Sequence, residues 1–131
     1  MVVQNASMKT ALVVEDEPVI ARVCAKTLRG EGFAVDLAVN GTVGCRMAND
    51  KRYDLFVADI RTPEMNGISF YRHVELAHPD LAHRVIFTTG DVLSSEIRAF
   101  LDEIKPGFLP KPFTPTQLRT VVRQTLQWGA A

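Results

Sequence analysis

The pattern of apolar residues predicts an open α/β fold, with a parallel sheet that carries helices on both faces. Strand-like and helix-like segments alternate five times along the 131 residues, a length that suits one domain. The runs 55–58 and 85–87 are continuously apolar, as in strands covered on both faces. Thr114 and Gln117 form a capping box around Pro115, which marks the start of the last helix.

The first half of the chain predicts two strands and two helices. The apolar run 11–14 stops at acidic residues, and Pro18 suits the first turn of a helix, where an N–H has no partner. Apolar residues then recur at helical spacing up to Gly30. Residues 33–39 alternate as a strand does, and a shorter helix follows and ends near Asp50.

The second half continues this alternation. Asn66-Gly67 begins a helix after the first continuous apolar run, and residues 97–104 follow the i, i+3, i+4, i+7 template after the second. A very short strand at 108–109 precedes the last helix. Five strand-then-helix units therefore complete the predicted (βα)5 fold, in a domain that we expect to span 9–128.

Composition narrows the classes of function. The 15 basic and 15 acidic residues cancel, so net charge gives no indication of nucleic-acid or anionic-membrane binding. No apolar run approaches the roughly 20 residues of a membrane span, and the start lacks the order of a signal peptide. We expect a cytoplasmic protein with a loose lead-in at 1–8, a tail at 129–131, and buried thiols at Cys24 and Cys45.

Polar residues end several of the predicted strands, and the carboxyl ends of parallel strands meet at one edge of a sheet. These residues are Glu15, Asp16, Asp59, Thr88, Thr89 and Lys111. Converging carboxylates raise each other's pKa unless a cation neutralises them, and Mg²⁺ (or Mn²⁺) suits oxygen ligands. We expect Asp16 and Asp59 as direct ligands, with Glu15 bound directly or through water.

A carboxylate beside such a metal can attack phosphorus and form an acyl phosphate. Lys111 and a threonine hydroxyl would then meet the remaining phosphoryl oxygens. Taken singly, the acids could favour a helix N-terminus, Asp59 could be a turn residue, and Lys111 a solvated surface lysine. Their joint placement at one sheet edge favours the functional interpretation.

Four motifs, LVVEDEP, DLFVADIRTPEMNG, VIFTTGD and FLPKPF, resemble those of response regulator receiver domains from about residue 9 to 127. The resemblance implies the flavodoxin-like strand order 2-1-3-4-5 and a cis bond before Pro112. It also implies that Glu15 and Asp16 form an acidic pair, that Asp59 is the phosphoacceptor and that the Arg61 backbone carbonyl binds the metal. Thr89 would supply the switch hydroxyl, and Lys111 would hold the phosphoryl group.

Several positions differ from the commonest receiver pattern. Glu15 replaces an aspartate, Thr62 stands where Met is frequent, and Phe108 stands where many members have the Tyr that rotates during switching. A phenylalanine can swing inward but cannot form a new hydrogen bond. The resemblance further implies that Arg61 and Asp91 tune the lifetime of the phosphoryl group.

The resemblance implies a signalling domain rather than an enzyme. Its donor would be a histidine kinase or a histidine phosphotransfer protein, with no direct contact to nucleic acid or membrane. We expect either a stand-alone regulator or the carboxyl-terminal receiver of a hybrid sensor kinase. The sequence leaves the oligomeric state open.

Three alternatives fit less well. A haloacid-dehalogenase-like phosphatase needs a second acid where Arg61 stands, and a flavodoxin-like cofactor binder needs a phosphate loop that residues 41–44 do not form. A receiver-like module that is not phosphorylated would be expected to lack the acids and Lys111, which are all present.

Overall fold

A computed structural model describes residues 8–61, 65–90 and 94–130. Within these ranges five strands and five helices alternate, with one 3₁₀ helix at Pro79–Arg84. They are β1 (Lys9–Val14), α1 (Pro18–Gly30), β2 (Phe33–Ala38), α2 (Gly41–Asp50), β3 (Leu55–Asp59), α3 (Gly67–Ala77), β4 (Val85–Thr89), α4 (Ser95–Ile104), β5 (Gly107–Pro110) and α5 (Pro115–Ala130).

The strands form one parallel sheet in the order β2-β1-β3-β4-β5, which confirms the predicted topology. Strands β3 and β4 extend beyond their apolar runs into the polar residues that follow. Asp59 pairs with Thr88, and Thr89 pairs with Pro110, so the polar residues are the last members of the ladder. No helix in the described ranges has both the length and the apolar character needed to cross a bilayer.

Helices cover both faces of the sheet, which explains why β3 and β4 lack alternation. The core on one face is rich in aromatic rings, with Phe87, Tyr71 and Phe100 packed edge-to-face or tilted at centroid distances of 5.4–5.9 Å. The core on the other face is mostly aliphatic, with Leu28 and Leu118 fully buried. Cys24 and Cys45 are buried free thiols, as expected.

Side-chain caps mark the starts of α3 and α5. Asn66 accepts a hydrogen bond from the Ser69 N–H at 2.9 Å, and Thr114 and Gln117 form the predicted reciprocal capping box. The 3₁₀ helix before β4 was not predicted, because a six-residue segment is too short to display a helical period.

Gly67 allows α3 to start directly behind the end of β3. A Cβ atom added there would lie 2.8 Å from the Ile60 Cα and 2.9 Å from the Asp59 carbonyl oxygen. Both neighbours are backbone atoms, so the helix and the strand end would have to separate.

We therefore expect Gly67→Ala to lower the free energy of unfolding by about 1–3 kcal/mol, because overpacking outweighs the better helix propensity of alanine. Urea denaturation measures the change. Gly30→Ala is the matched control, since a Cβ at Gly30 meets nothing within 4 Å and α1 already ends there. Equal stability of the two variants would contradict this account of the packing.

Candidate functional site

The Lys111 ammonium lies at the centre of a group of carboxylates at the carboxyl edge of the sheet. Its Nζ atom is 2.9 Å from Glu15 Oε1, 2.9 Å from Asp59 Oδ2 and 3.1 Å from Glu17 Oε1. The Lys111 backbone N–H donates to the Thr89 carbonyl at 2.9 Å, which fixes the residue at the end of β5 beside β4. Residues from three parts of the chain therefore meet at one positive charge.

Asp59 is buried at the end of β3 and has partners for both carboxylate oxygens. Oδ2 accepts a hydrogen bond from Lys111, and Oδ1 accepts one from the Arg61 backbone N–H at 3.1 Å. Two charge-assisted hydrogen bonds favour an ordered carboxylate at this position. The sheet edge therefore presents a buried carboxylate beside a cation.

Glu15 is also buried, although its side chain is acidic. Oε1 contacts Lys111, and Oε2 accepts a hydrogen bond from the Glu17 backbone N–H at 3.1 Å. Burial raises the pKa of Glu15 to about 7; the two hydrogen bonds oppose this rise, and the negative charge of Asp59 adds to it. When Lys111 is the only cation nearby, keeping Glu15 ionised in the folded chain therefore costs free energy.

The Lys111 side chain is charged despite being only 10% exposed. Burial alone would lower its pKa, but hydrogen bonds to Glu15 and Asp59 outweigh burial and raise the pKa above its ordinary value. One ammonium still faces three carboxylates, which leaves an excess of negative charge.

Glu17 belongs to this group although the sequence did not single it out. Among the described residues, oxygens of Glu15, Glu17 and Asp59 lie within 4.8 Å of one another, close enough to hold a metal ion. The only signal in the sequence was the acidic run that follows β1, and that run gives no side-chain direction.

Asp16 follows Glu15 directly and lies at the same edge of the sheet. It is exposed and lines a crevice of about 610 Å³ together with Arg61, Asn66 and Glu96. This crevice opens next to the three carboxylates of Glu15, Glu17 and Asp59, between the ends of β1 and β3 and the start of α4.

The other expected site residues fall partly within the described ranges. Thr89 is buried as the last residue of β4. Phe108 is partly buried against the aromatic core and lines a cavity of about 380 Å³ with Leu101 and Pro106. The Lys111–Pro112 peptide bond is cis, as predicted, whereas Thr62 and Asp91 lie outside the described residues.

Comparison with known proteins identifies the family. Residues 11–123 match the family model of the response regulator receiver domain. The chain belongs to this family. It is therefore a receiver domain of two-component systems, and receiver domains act in signalling rather than as ordinary catalytic enzymes.

Curated relatives include the sensor kinase CckA of Brucella abortus (strain 2308), 32% identical over 120 residues, and the transcriptional regulatory protein CusR of Escherichia coli (strain K12), 33% identical over 120 residues. The matches cover 90% and 92% of this receiver, but only 12% of CckA and 52% of CusR. The chain thus spans about half or less of these relatives' lengths.

Solved structures agree with the fold. The receiver is 25% identical to the chemotaxis protein CheY4 of Vibrio cholerae, with a TM-score of 0.79, and the match covers 90% of this chain and 98% of that one. It is also 25% identical to a response regulator receiver protein from Sinorhizobium medicae WSM419, with a TM-score of 0.83 and coverage of 95% and 98%.

The raised pKa of Glu15 has a consequence for stability in the absence of divalent cations. The folded chain holds the carboxyl proton of Glu15 more tightly than the unfolded chain does, since the pKa of Glu15 in the unfolded chain is near 4.5. The contribution of protonated Glu15 to the free energy of unfolding is therefore fully present below about pH 4.5 and is lost as pH rises through about 7. The loss is on the order of 3 kcal/mol.

We expect Glu15→Gln, which keeps an acceptor for Lys111 without the charge, to remove this fall in stability between pH 4.5 and 7. Urea denaturation in the presence of a chelator, repeated across that range, measures it. Glu96→Gln, at an exposed position beside the same crevice, serves as the control and should retain the wild-type pH dependence. An unchanged pH dependence in Glu15→Gln would contradict the assignment.

Proposed function

We propose that this receiver accepts a phosphoryl group on Asp59 from a phosphohistidine of a histidine kinase or a histidine phosphotransfer protein, in the cytoplasm. The observation that carries the proposal is the buried Asp59 carboxylate held at 2.9 Å from the Lys111 ammonium. A nucleophile and a cation already oriented in this way need little rearrangement to receive a phosphoryl group.

In the transfer, an Asp59 carboxylate oxygen forms a bond to phosphorus while the bond from phosphorus to the donor's imidazole nitrogen breaks. The electron pair of the broken bond stays on that nitrogen, so the donor regains a neutral histidine after proton exchange. The product is an acyl phosphate on Asp59. The chain itself supplies position and charge, which is most of what phosphoryl transfer requires.

The charge of the site fits a hard divalent cation. Three carboxylates with oxygens within 4.8 Å face one ammonium, and burial penalises Glu15 as an anion. Glu15, Asp16, Asp59 and the Arg61 backbone carbonyl would hold Mg²⁺ (or Mn²⁺). When bound, the ion neutralises charge on the phosphoryl oxygens.

Lys111 would contact a phosphoryl oxygen after transfer, and Thr89 would turn its hydroxyl towards the same group. Movement of Thr89 at the end of β4 would open space for Phe108, the aromatic residue beside the cavity at α4 and β5. Such a change is a shift between two populated packings. Without a hydroxyl, Phe108 would report the switch through packing alone.

Arg61 and Asp91 would set the lifetime of the acyl phosphate. Arg61 is exposed on the crevice beside Asp59, where a long cationic side chain can limit the approach of water. We expect faster loss of the phosphoryl group when both residues are replaced by alanine, as timed by radiolabel release. An unchanged rate would contradict a role of Arg61 and Asp91 in setting this lifetime.

Asp59→Asn provides the test of the proposal. Beryllium fluoride forms a phosphoryl-like complex with a carboxylate, so the wild type with Mg²⁺ should bind it, whereas Asp59→Asn should bind at least about tenfold more weakly because the anionic oxygen is missing. Isothermal titration calorimetry measures both.

Asp36→Asn is the control, since Asp36 lies in β2 and bonds Tyr53 and Lys51, away from the site. Binding that is identical in wild type and Asp59→Asn would contradict the proposal and would favour a receiver-like module that acts without phosphorylation.

A further inference from the structure

Glu17 occupies the N-cap position of α1 but does not cap it. Its side chain makes no cap hydrogen bond, although short polar side chains at this position usually accept one from the first helical turn. The carboxylate instead reaches Lys111 at 3.1 Å, across 94 positions of sequence. The contact therefore has no part in starting the helix.

Lys111 has three N–H donors, and three carboxylates surround them. A phosphoryl oxygen can gain a direct bond from Lys111 only if one of these partners gives way. The side chains of Glu15 and Asp59 are 3% and 6% exposed, whereas that of Glu17 is 60% exposed. Transfer converts the Asp59 carboxylate itself into the acyl phosphate, so the partners that can still hold the ammonium away from the phosphoryl oxygens are Glu15 and Glu17. Of these two, Glu17 can move into water at low cost, whereas Glu15 would stay buried without its cation.

We propose that Glu17 is a positioning residue that holds Lys111 in the unphosphorylated receiver and is displaced from it by the phosphoryl group. The inference rests on the proposed function and extends it. Glu17 and the phosphoryl oxygens then compete for the Lys111 ammonium. Before transfer, the Glu17–Lys111 pair thus keeps the ammonium beside Asp59. After transfer, Glu17 weakens the contact between Lys111 and the phosphoryl group.

Removing this competitor should strengthen the binding of a phosphoryl mimic. Glu17→Gln keeps the size of the side chain, removes its charge and leaves the backbone N–H that bonds Glu15. Since no cap bond is lost, we expect the fold to be unchanged. At saturating Mg²⁺, the dissociation constant for beryllium fluoride should fall by about two- to fivefold, the range for pairs that are partly exposed.

Glu17→Asp separates pairing with Lys111 from a simple effect of nearby charge. It keeps the negative charge, but its side chain is one methylene shorter and favours capping α1 rather than reaching Lys111. Competition for the donor therefore predicts tighter binding in Glu17→Asp as well as in Glu17→Gln. Glu96→Gln, at an exposed acid beside the same crevice, should bind like the wild type.

Calorimetric titration of these four proteins with beryllium fluoride decides the matter. Tighter binding by both Glu17 variants supports the inference. Wild-type affinity in Glu17→Gln, or tighter binding in Glu17→Gln with wild-type affinity in Glu17→Asp, would overturn it while leaving the proposed function intact. Absence of binding by the wild type would overturn the proposed function, and this inference with it.

Discussion

The contact between the Lys111 ammonium and the buried carboxylates of Glu15 and Asp59 is the interaction on which the rest of the site depends. Both distances are 2.9 Å, and all three side chains are at most 10% exposed. Buried charges are costly unless they are paired, so each carboxylate is tolerable only while the ammonium stays in place. The pairing also joins the end of β5 to the ends of β1 and β3. The edge of the sheet where phosphoryl transfer is expected is therefore also an edge where ion pairs hold β1, β3 and β5 together.

The parallel sheet makes this pairing possible. Every strand ends at the same edge, and β1 and β3 are neighbours in the sheet, so acids distant in sequence reach one crevice. Gly67 lets α3 begin against the backbone of Asp59. The three carboxylates still outnumber the ammonium, an imbalance that would favour a bound cation. A phosphoryl group and a divalent cation would arrive together without a large change in net charge.

Much of the fold follows from the sequence because apolar spacing, caps and proline positions each carry a local signal. The bounds of α1, the capping box of α5 and the convergence of Asp59 with Lys111 were all predictable. The strand order needed the resemblance to receivers, since periodicity does not say which strands are neighbours. The contact of Glu17 with Lys111 and the exposure of Asp16 were not predictable, because they depend on side-chain directions at the first turn of a helix. The 3₁₀ helix at Pro79–Arg84 was missed because it is too short to show a period.

The central claim is that the carboxylate beside Lys111 takes a covalent phosphoryl group. Its most direct test is to incubate the receiver with acetyl phosphate and Mg²⁺, reduce the product with borohydride, and map the reduced residue by peptide mass spectrometry. Reduction of an aspartyl phosphate yields homoserine, and we expect homoserine at position 59 in the phosphorylated sample only. Homoserine at another aspartate, or an unmodified peptide around Asp59 under conditions that phosphorylate a known receiver, would contradict the account.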